Sequence, residues 1–440
     1  ARMKALVFER NLPRFAAARM ASAFGSGRGA GVGPLRLIEA EPPLIPGPGW
    51  HRVTPLLSGI CGSDLATLDG RSSRYFEDLV SFPFVPGHEV VGTLDADAEV
   101  SAMSAARGSK AASGTTLSGG TRVVLEPVLG CEARGIYPPC AYCATGRTGD
   151  CENVAFGHLR PGLQTGFCAD TGGGWSGAGL VAHRSQLHAV PDEMSDEDAV
   201  TVEPVACAVH AALAARVREG ETVAVIGAGT LGLAVTAAIS HLAVTGRSAQ
   251  PGDLLVGARY PHQRDLASEL GATDALPSDQ LPRAVRRRSR SLALGAPSIG
   301  GQRLTGGADV ILDCVGSSDS ISQALAMVRP RGRVVLVGMP AKVHVDLASL
   351  WNREVSLVGT YAYGIEHIGG DGGDAQPVRT FDLAFEVVAA FGTGRLVSAA
   401  YPLDRFEEAV AHAGSAGRRG AVKVAFDLRH VGRRARGEVS

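Results

Sequence analysis

Three short motifs follow one another along the chain: Gly59-Ile60-Cys61-Gly62-Ser63-Asp64, Pro86-Gly87-His88-Glu89 and Val202-Glu203-Pro204. Each alone is weak, because a single cysteine is most often a small buried hydrophobe and a His-Glu pair an ordinary polar dipeptide. Together, Cys61, His88, Glu89 and Glu203 supply a thiolate, an imidazole and carboxylates, a donor set suited to a catalytic zinc with an open position. Such a zinc polarises a carbonyl or stabilises an alkoxide. A second group, Cys131, Cys140, Cys143 and Cys151, offers four thiolates and closes a tetrahedron with no room for water, which is structural zinc chemistry. Unliganded thiols so close together would oxidise readily, which argues against four free cysteines. Gly227-Ala228-Gly229-Thr230-Leu231-Gly232 has the spacing G-x-G-x-x-G. It follows the apolar run Val223-Ala224-Val225-Ile226 and precedes an apolar helical stretch, the setting in which such a turn approaches a pyrophosphate at a helix N-terminus.

These motifs need two kinds of scaffold. Residues 1–204 alternate short apolar runs with glycine and proline, a β-rich texture without long helical periodicity. From about 205 onward, predicted helices (Ala206–Arg218, Leu231–Leu242, Arg264–Leu270, Ser320–Arg329) alternate with predicted strands (Thr222–Ile226, Leu254–Val256, Val310–Cys314, Val334–Val337). That alternation indicates a doubly wound parallel sheet. A helix near Thr380–Phe391 and a strand near Ala421–Phe426 close the chain. At 440 residues the chain exceeds one compact core. The uncharged stretch Thr222–Gly246 could span a bilayer by length, but its glycine punctuation fits strand, turn and helix better.

A net charge of −1 argues against nucleic acid or an anionic membrane as the main partner. Only four of the 43 basic residues are lysines, Lys4, Lys110, Lys342 and Lys423. Met3-Lys4-Ala5-Leu6-Val7-Phe8 runs into Glu9-Arg10 without the form of a secretory signal, so a cytoplasmic chain with metal-bound cysteines is expected. The stretches 101–120, 278–307 and 369–376 and the tail 429–440 have the composition of surface loops, the arginine run Arg286-Arg287-Arg288-Ser289-Arg290 included. The segments Tyr75–Phe84 and Trp175–Gly179 are expected to line a substrate pocket.

With these motifs in order, joined by Asp313-Cys314-Val315-Gly316 and Gly332–Gly338, the sequence resembles the zinc-dependent medium-chain dehydrogenase/reductase superfamily. Within that superfamily it is close in style to sorbitol, threonine and glucose dehydrogenases. The resemblance implies an α/β protein with a GroES-like catalytic domain (1–204 and 361–440) around a Rossmann cofactor domain (205–360). It implies Cys61, His88 and Glu89 as catalytic-zinc ligands, with Glu203 as the remaining ligand or water partner. Ser63 would bond the substrate oxygen and begin proton removal, and Asp64 would orient a ligand. Cys131, Cys140, Cys143 and Cys151 would hold a second, structural zinc. Gly227, Gly229, Thr230, Leu231, Gly232, Val315, Gly316, Val337 and Gly338 would contact a nicotinamide cofactor. The implied activity is hydride transfer between that cofactor and a small alcohol or carbonyl, such as a secondary alcohol or a polyol, in a homodimer or homotetramer. Reduction of an activated C=C or C=N bond, or silent nucleotide binding, are the alternatives on this fold.

Two departures stand out. Eight residues, Glu132 to Pro139, separate the first two structural cysteines where the family usually has two. Ala66 stands where many relatives carry the outer histidine of the proton relay, leaving Thr67, water or a cofactor ribose hydroxyl to complete it. For the cofactor itself, no acid lies between Asp253 and Asp265, and Ala258-Arg259 occupies the place of the carboxylate that would repel a 2′-phosphate. Arg259 could pair with that phosphate, so NADP(H) is expected over NAD(H).

Overall fold

The structure is a computed structural model and describes residues 2–71, 77–100, 115–295, 302–369 and 375–430. Of the expected surface loops, 101–114, 296–301, 370–374 and 431–440 lie outside the described residues, as does Tyr75. The chain divides into two compact units, one of Ala1–Glu203, Tyr363–Ile365 and Gly392–Ser440, the other of Pro204–Ala362 and Glu366–Phe391.

The first unit is built on a seven-stranded sheet whose continuous path runs Val397–Tyr401, Lys423–Asp427, Trp50–Gly59, Val90–Leu94, Arg122–Leu125, Leu187–Ala189. Leu180–His183 adds to the free stretch of Trp50–Gly59. Apolar residues from both chain ends share one core, with Leu6, Phe8, Phe84, Trp175, Val424 and Phe426 all buried in it. Trp175 and Phe84 therefore do not line a pocket as expected. The Trp175 ring meets Phe426 edge-on at 5.0 Å, and its indole N–H is satisfied by the Gly59 carbonyl at 3.2 Å.

A helix at Leu12–Ser22 interrupts the otherwise β-rich first half. Asn11 caps it by accepting from the Arg14 N–H at 3.1 Å, Pro13 opens its first turn, and Ala18 is its buried residue.

In the second unit six parallel strands are ordered Asp274–Pro277, Asp253–Ala258, Thr222–Ile226, Ala308–Asp313, Val328–Leu336, Ser356–Gly359. In chain order this is 3-2-1-4-5-6, so the path reverses between Thr222–Ile226 and Ala308–Asp313, where doubly wound sheets open a crevice. The near-continuous Val/Ile/Leu character of these strands follows from burial on both faces.

Two expectations need correction here. The stretch from Leu281 to Arg288 is a helix, not a loop: Leu281, Ala284 and Val285 recur at helical spacing and are buried, while the arginines take the solvated side. The return to the first unit comes at Gly392 rather than 361, apart from Tyr363–Ile365. Helix Thr380–Phe391 buries Phe381, Leu383, Ala384, Phe385, Val387 and Val388 and packs against helix Thr230–Val244. No described helix is long and apolar enough to cross a membrane.

Candidate functional site

Cys61 follows the strand Trp50–Gly59 and caps the short helix Gly62–Leu68. His88 and Glu89 immediately precede the neighbouring strand Val90–Leu94, which pairs antiparallel with Trp50–Gly59. Strand pairing thus brings together residues far apart in sequence. One donor atom each from Cys61, His88 and Glu89 falls within 4.8 Å of the others, and both His88 and Glu89 are buried. Asp64 braces the set from the helix. Its Oδ2 accepts the Cys61 N–H at 2.9 Å, and its Oδ1 lies 3.5 Å from His88 Nδ1. A proton held on Nδ1 toward this carboxylate leaves the Nε2 lone pair for a metal. Burial works against a charged His88, but Asp64 and the Cys61 sulfur together hold its pKa well above the ordinary range.

Lys423 completes the surroundings, and sequence reasoning passed it over. It starts the strand Lys423–Asp427, whose Ala425 lies opposite Gly59, and its ammonium pairs with Glu89 in the interior, both side chains being almost wholly buried. Burial opposes its charge, yet Glu89 and Cys61 raise its pKa. A signal was available: in a chain that almost always uses arginine, a lysine in an apolar strand marks a site too narrow for a guanidinium. Gly59 shows how narrow. A Cβ there would stand 1.9 Å from Glu89 Oε2 and 2.7 Å from Lys423 Cε.

Glu203 is outside the three-donor set. Its Oε1 accepts the Tyr363 hydroxyl at 3.0 Å, and burial, with help from Glu89, pushes its carboxyl up to about 7 despite the pull of His88, Tyr363 and Lys423. Of its two expected roles, direct ligand or water partner, this position suits the second. Tyr363, like Lys423, carried no motif. Ser63 lies half-buried on the first turn of helix Gly62–Leu68, and the Thr67 hydroxyl donates to the Ser63 carbonyl at 2.9 Å.

The sulfurs of Cys131, Cys140, Cys143 and Cys151 also fall within 4.8 Å of one another. Cys131 and Cys151 sulfurs are 3.6 Å apart, close to the roughly 3.8 Å edge of a tetrahedron with 2.3 Å Zn–S bonds. Backbone N–H groups of Cys131, Cys140, Cys143 and Asn153 point at sulfurs at 3.3–3.5 Å, and Asn153 Nδ2 reaches Cys131 at 3.2 Å. The sulfur hydrogen bond from Cys143 pulls Cys151 down to about 5 and sends Cys143 up. A thiolate already ringed by donors is what a metal of this class binds. The inserted Glu132–Pro139 segment is anchored through Arg134. This fully buried guanidinium donates to the carbonyls of Leu129, Phe156, Leu159, Arg160 and Gly162, tying both flanks of the lobe together. Cys168, Cys207 and Cys314 join neither cluster.

In the second unit the glycine turn leads from strand Thr222–Ile226 into helix Thr230–Val244, whose N-cap Gly229 has no side-chain cap. A Cβ at Gly232 would lie 1.8 Å from the Gly227 carbonyl, so strand and helix can meet only through glycine, while at Gly229 nothing lies within 4 Å. The turn thus leaves room and free N–H groups for a phosphate. Across the crevice, Asp313 Oδ1 accepts the Val315 and Gly316 N–H groups at 2.9 and 3.1 Å, and its carbonyl accepts those of Val337 and Gly338, both at 2.9 Å. Asp313 thus ties the 315–316 and 337–338 segments together at the end of strand Ala308–Asp313, beside the switch point. Arg259 is exposed just beyond strand Asp253–Ala258, and Arg264 Nη1 donates back to the Ala258 and Arg259 carbonyls at 3.3 and 3.4 Å.

Comparison with known proteins agrees with this layout. Residues 47–192 match the model of the alcohol dehydrogenase GroES-like domain, and residues 238–370 that of the zinc-binding dehydrogenase domain. An L-idonate 5-dehydrogenase of Vitis vinifera is 29% identical over 82% of this chain and 89% of its own. A sorbitol dehydrogenase of Bacillus subtilis is 26% identical over 81% and 84% respectively. In fold, a putative zinc-binding dehydrogenase of Sinorhizobium meliloti, solved bound to NADP, superposes with a TM-score of 0.62 over 97% of this chain and 99% of its own, at 23% identity. The chain belongs to the zinc-type medium-chain alcohol dehydrogenases, with the GroES-like and Rossmann-like domains of that family.

Proposed function

We propose that the protein is a zinc-dependent oxidoreductase moving hydride between NADP(H) and a secondary alcohol or polyol-like substrate and its carbonyl. The observation that carries this reading is the buried Cys61, His88, Glu89 cluster with Lys423 behind it. Those three residues would hold the metal, and Glu203 would hold the water or substrate hydroxyl beside it. Zinc bound there supplies Lewis acidity, which lowers the pKa of an alcohol and polarises a carbonyl. Asp64 fixes the His88 tautomer, Lys423 pairs with Glu89 from behind, and Ser63 Oγ accepts the proton leaving the substrate hydroxyl. Thr67 (whose hydroxyl donates to the Ser63 carbonyl), water or a cofactor ribose hydroxyl would take the proton on from Ser63.

The glycine turn at Gly227–Gly232, with Thr230 and Leu231 opening its helix, would seat the pyrophosphate, and the 315–316 and 337–338 segments would flank the crevice. Arg259 would pair with a 2′-phosphate. The polyol class is supported by the names of the sorbitol and L-idonate relatives, and NADP by the ligand of the Sinorhizobium protein. The four-cysteine lobe would hold a second zinc, which suits a reducing, cytoplasmic setting. A homo-oligomer is supported by strand Ser356–Gly359, which ends its sheet with all four residues exposed beside the exposed Trp351.

Metal analysis should return about two zincs per chain, one per site. Cys61→Ala should abolish oxidation of sorbitol-like polyols with NADP while leaving NADP(H) binding within about twofold, since the cofactor groups lie in the other unit. Turnover by a zinc-free chain would overturn the reading. Arg259→Ala should weaken NADP(H) and spare NAD(H).

A further inference from the structure

Between strands Met3–Phe8 and Leu35–Ala40 the chain makes the helix Leu12–Ser22 and then a glycine-rich run to Pro34. This run is fixed in place. Gly27 has φ +79°, and a Cβ on it would lie 2.4 Å from the Val410 carbonyl, so the loop presses directly on helix Phe406–Gly414. The buried Asp69 carboxylate accepts the Gly27 N–H at 2.8 Å and the Ser26 hydroxyl at 2.6 Å. Against this wall stands the turn Ala416–Arg419, and between them opens a cavity of about 460 Å³. Its polar lining is Ser26, Arg28, Glu407, Ser415, Arg418 and Arg419.

The arginines here differ from their neighbours. Arg71 is paired with Asp69 and Arg405 with Glu408, whereas among the described residues the guanidinium groups of Arg28, Arg418 and Arg419 have neither an ion pair nor a hydrogen bond. Three guanidiniums and one carboxylate, Glu407, line the cavity, which leaves two positive charges there, Glu408 near Arg419 being already paired with Arg405. That is the complement of a phosphate monoester, which carries nearly two negative charges at neutral pH and offers oxygens to planar N–H forks. Glu407, its carboxylate 2.7 Å from where a Cβ on Gly31 would lie, would repel a bare anion but accepts hydrogen bonds from hydroxyls. The volume falls within the roughly 300–1,000 Å³ of small-molecule sites. We propose that this cavity binds the phosphate monoester of a small hydroxylated molecule, phosphate to the three arginines and a hydroxyl to Glu407. The site is distinct from the metal centre and does not depend on the activity assigned above.

Calorimetric titration of the full, zinc-loaded chain at low salt tests this with glucose 6-phosphate, inorganic phosphate and glucose. Saturable binding is expected for glucose 6-phosphate, weaker binding for phosphate and none for glucose. Arg28→Ser and Arg418→Ser, both surface changes with unaltered melting expected, should each weaken glucose 6-phosphate about tenfold through loss of a charged hydrogen bond. Glu407→Gln should tighten inorganic phosphate and narrow the advantage of glucose 6-phosphate over it. In Cys61→Ala the affinity should be unchanged. Equal binding by the arginine variants, or no binding by the parent chain up to millimolar ligand, overturns the proposal. So does loss of binding in Cys61→Ala, which would place the sugar phosphate at the metal centre instead.

Discussion

The four-cysteine lobe and the Cys61, His88, Glu89 cluster both gather their donor atoms within 4.8 Å, yet they are held in opposite ways. In the lobe, the N–H groups aimed at sulfur come from the same short segment, no more than 22 residues from their acceptors. The one cation of this segment buried near them, Arg134, spends its hydrogen bonds on carbonyls, not on the sulfurs. The other cluster is assembled across paired strands, Cys61 with His88 and Glu89, and its cation, Lys423, comes from a strand near the far end of the sequence. With Glu203 ionised, one thiolate and two carboxylates would face one ammonium and a divalent metal, while the Asp64 carboxylate faces His88 behind the donors. Three protein donors would leave a metal a further position open for substrate. The lobe, with four sulfurs as donors, would close around a metal. Local spacing makes a staple, and tertiary pairing makes a place for chemistry.

The contrast breaks most visibly in the lobe. Cys151→Ser should remove one metal equivalent and with it binding free energy on the order of 10 kcal/mol that holds the segment folded. Limited proteolysis should then cut within 131–160 while turnover at low temperature persists. Loss of both metals together would show that the two clusters are not independent. Lys423→Met comes next. It leaves Glu89 buried without its cation, at a cost of about 3–5 kcal/mol in urea unfolding of the metal-free chain. Adding Glu89→Gln to it should restore most of that stability but not the metal. If the double variant is no more stable than Lys423→Met alone, the pair is not what Lys423 supports.

The same contrast explains what could be read from the residues beforehand. The lobe cysteines, the glycine turn and the strand–helix alternation of the second unit are local patterns, and each sits in the structure in the element that its pattern indicates. Lys423 and Tyr363 were invisible because neither belongs to a motif; only the fold brings them to Glu89 and Glu203. Helix Leu12–Ser22 was missed although Asn11 and Pro13 announce its start, because alanine and glycine around it blur any apolar stripe. In Leu281–Arg288 the arginines drew attention away from three buried apolar residues at helical spacing. Trp175 and Phe84, assigned to a pocket, went into the core for a different reason: composition does not distinguish a ring facing a ligand from one facing Phe426.

The smallest expected effect sharpens the comparison furthest, because it concerns a residue that touches no proposed ligand. Tyr363 is buried, and its hydroxyl donates to Glu203 Oε1 at 3.0 Å. In the lobe, N–H groups hold the donors themselves; here a hydroxyl holds the carboxylate that would stand beside the metal. Tyr363→Phe removes one hydrogen bond to a charged acceptor without changing shape, worth about 1.5 kcal/mol and therefore about tenfold in kcat/KM. Zinc content should remain at the parent value, since Cys61, His88 and Glu89 keep their own supports in Asp64 and Lys423. Glu203→Gln, added to Tyr363→Phe, should then change little further if the two residues act as one unit. A loss of zinc on Tyr363→Phe would instead make Glu203 a direct ligand, and an additive double variant would separate Tyr363 from Glu203 altogether.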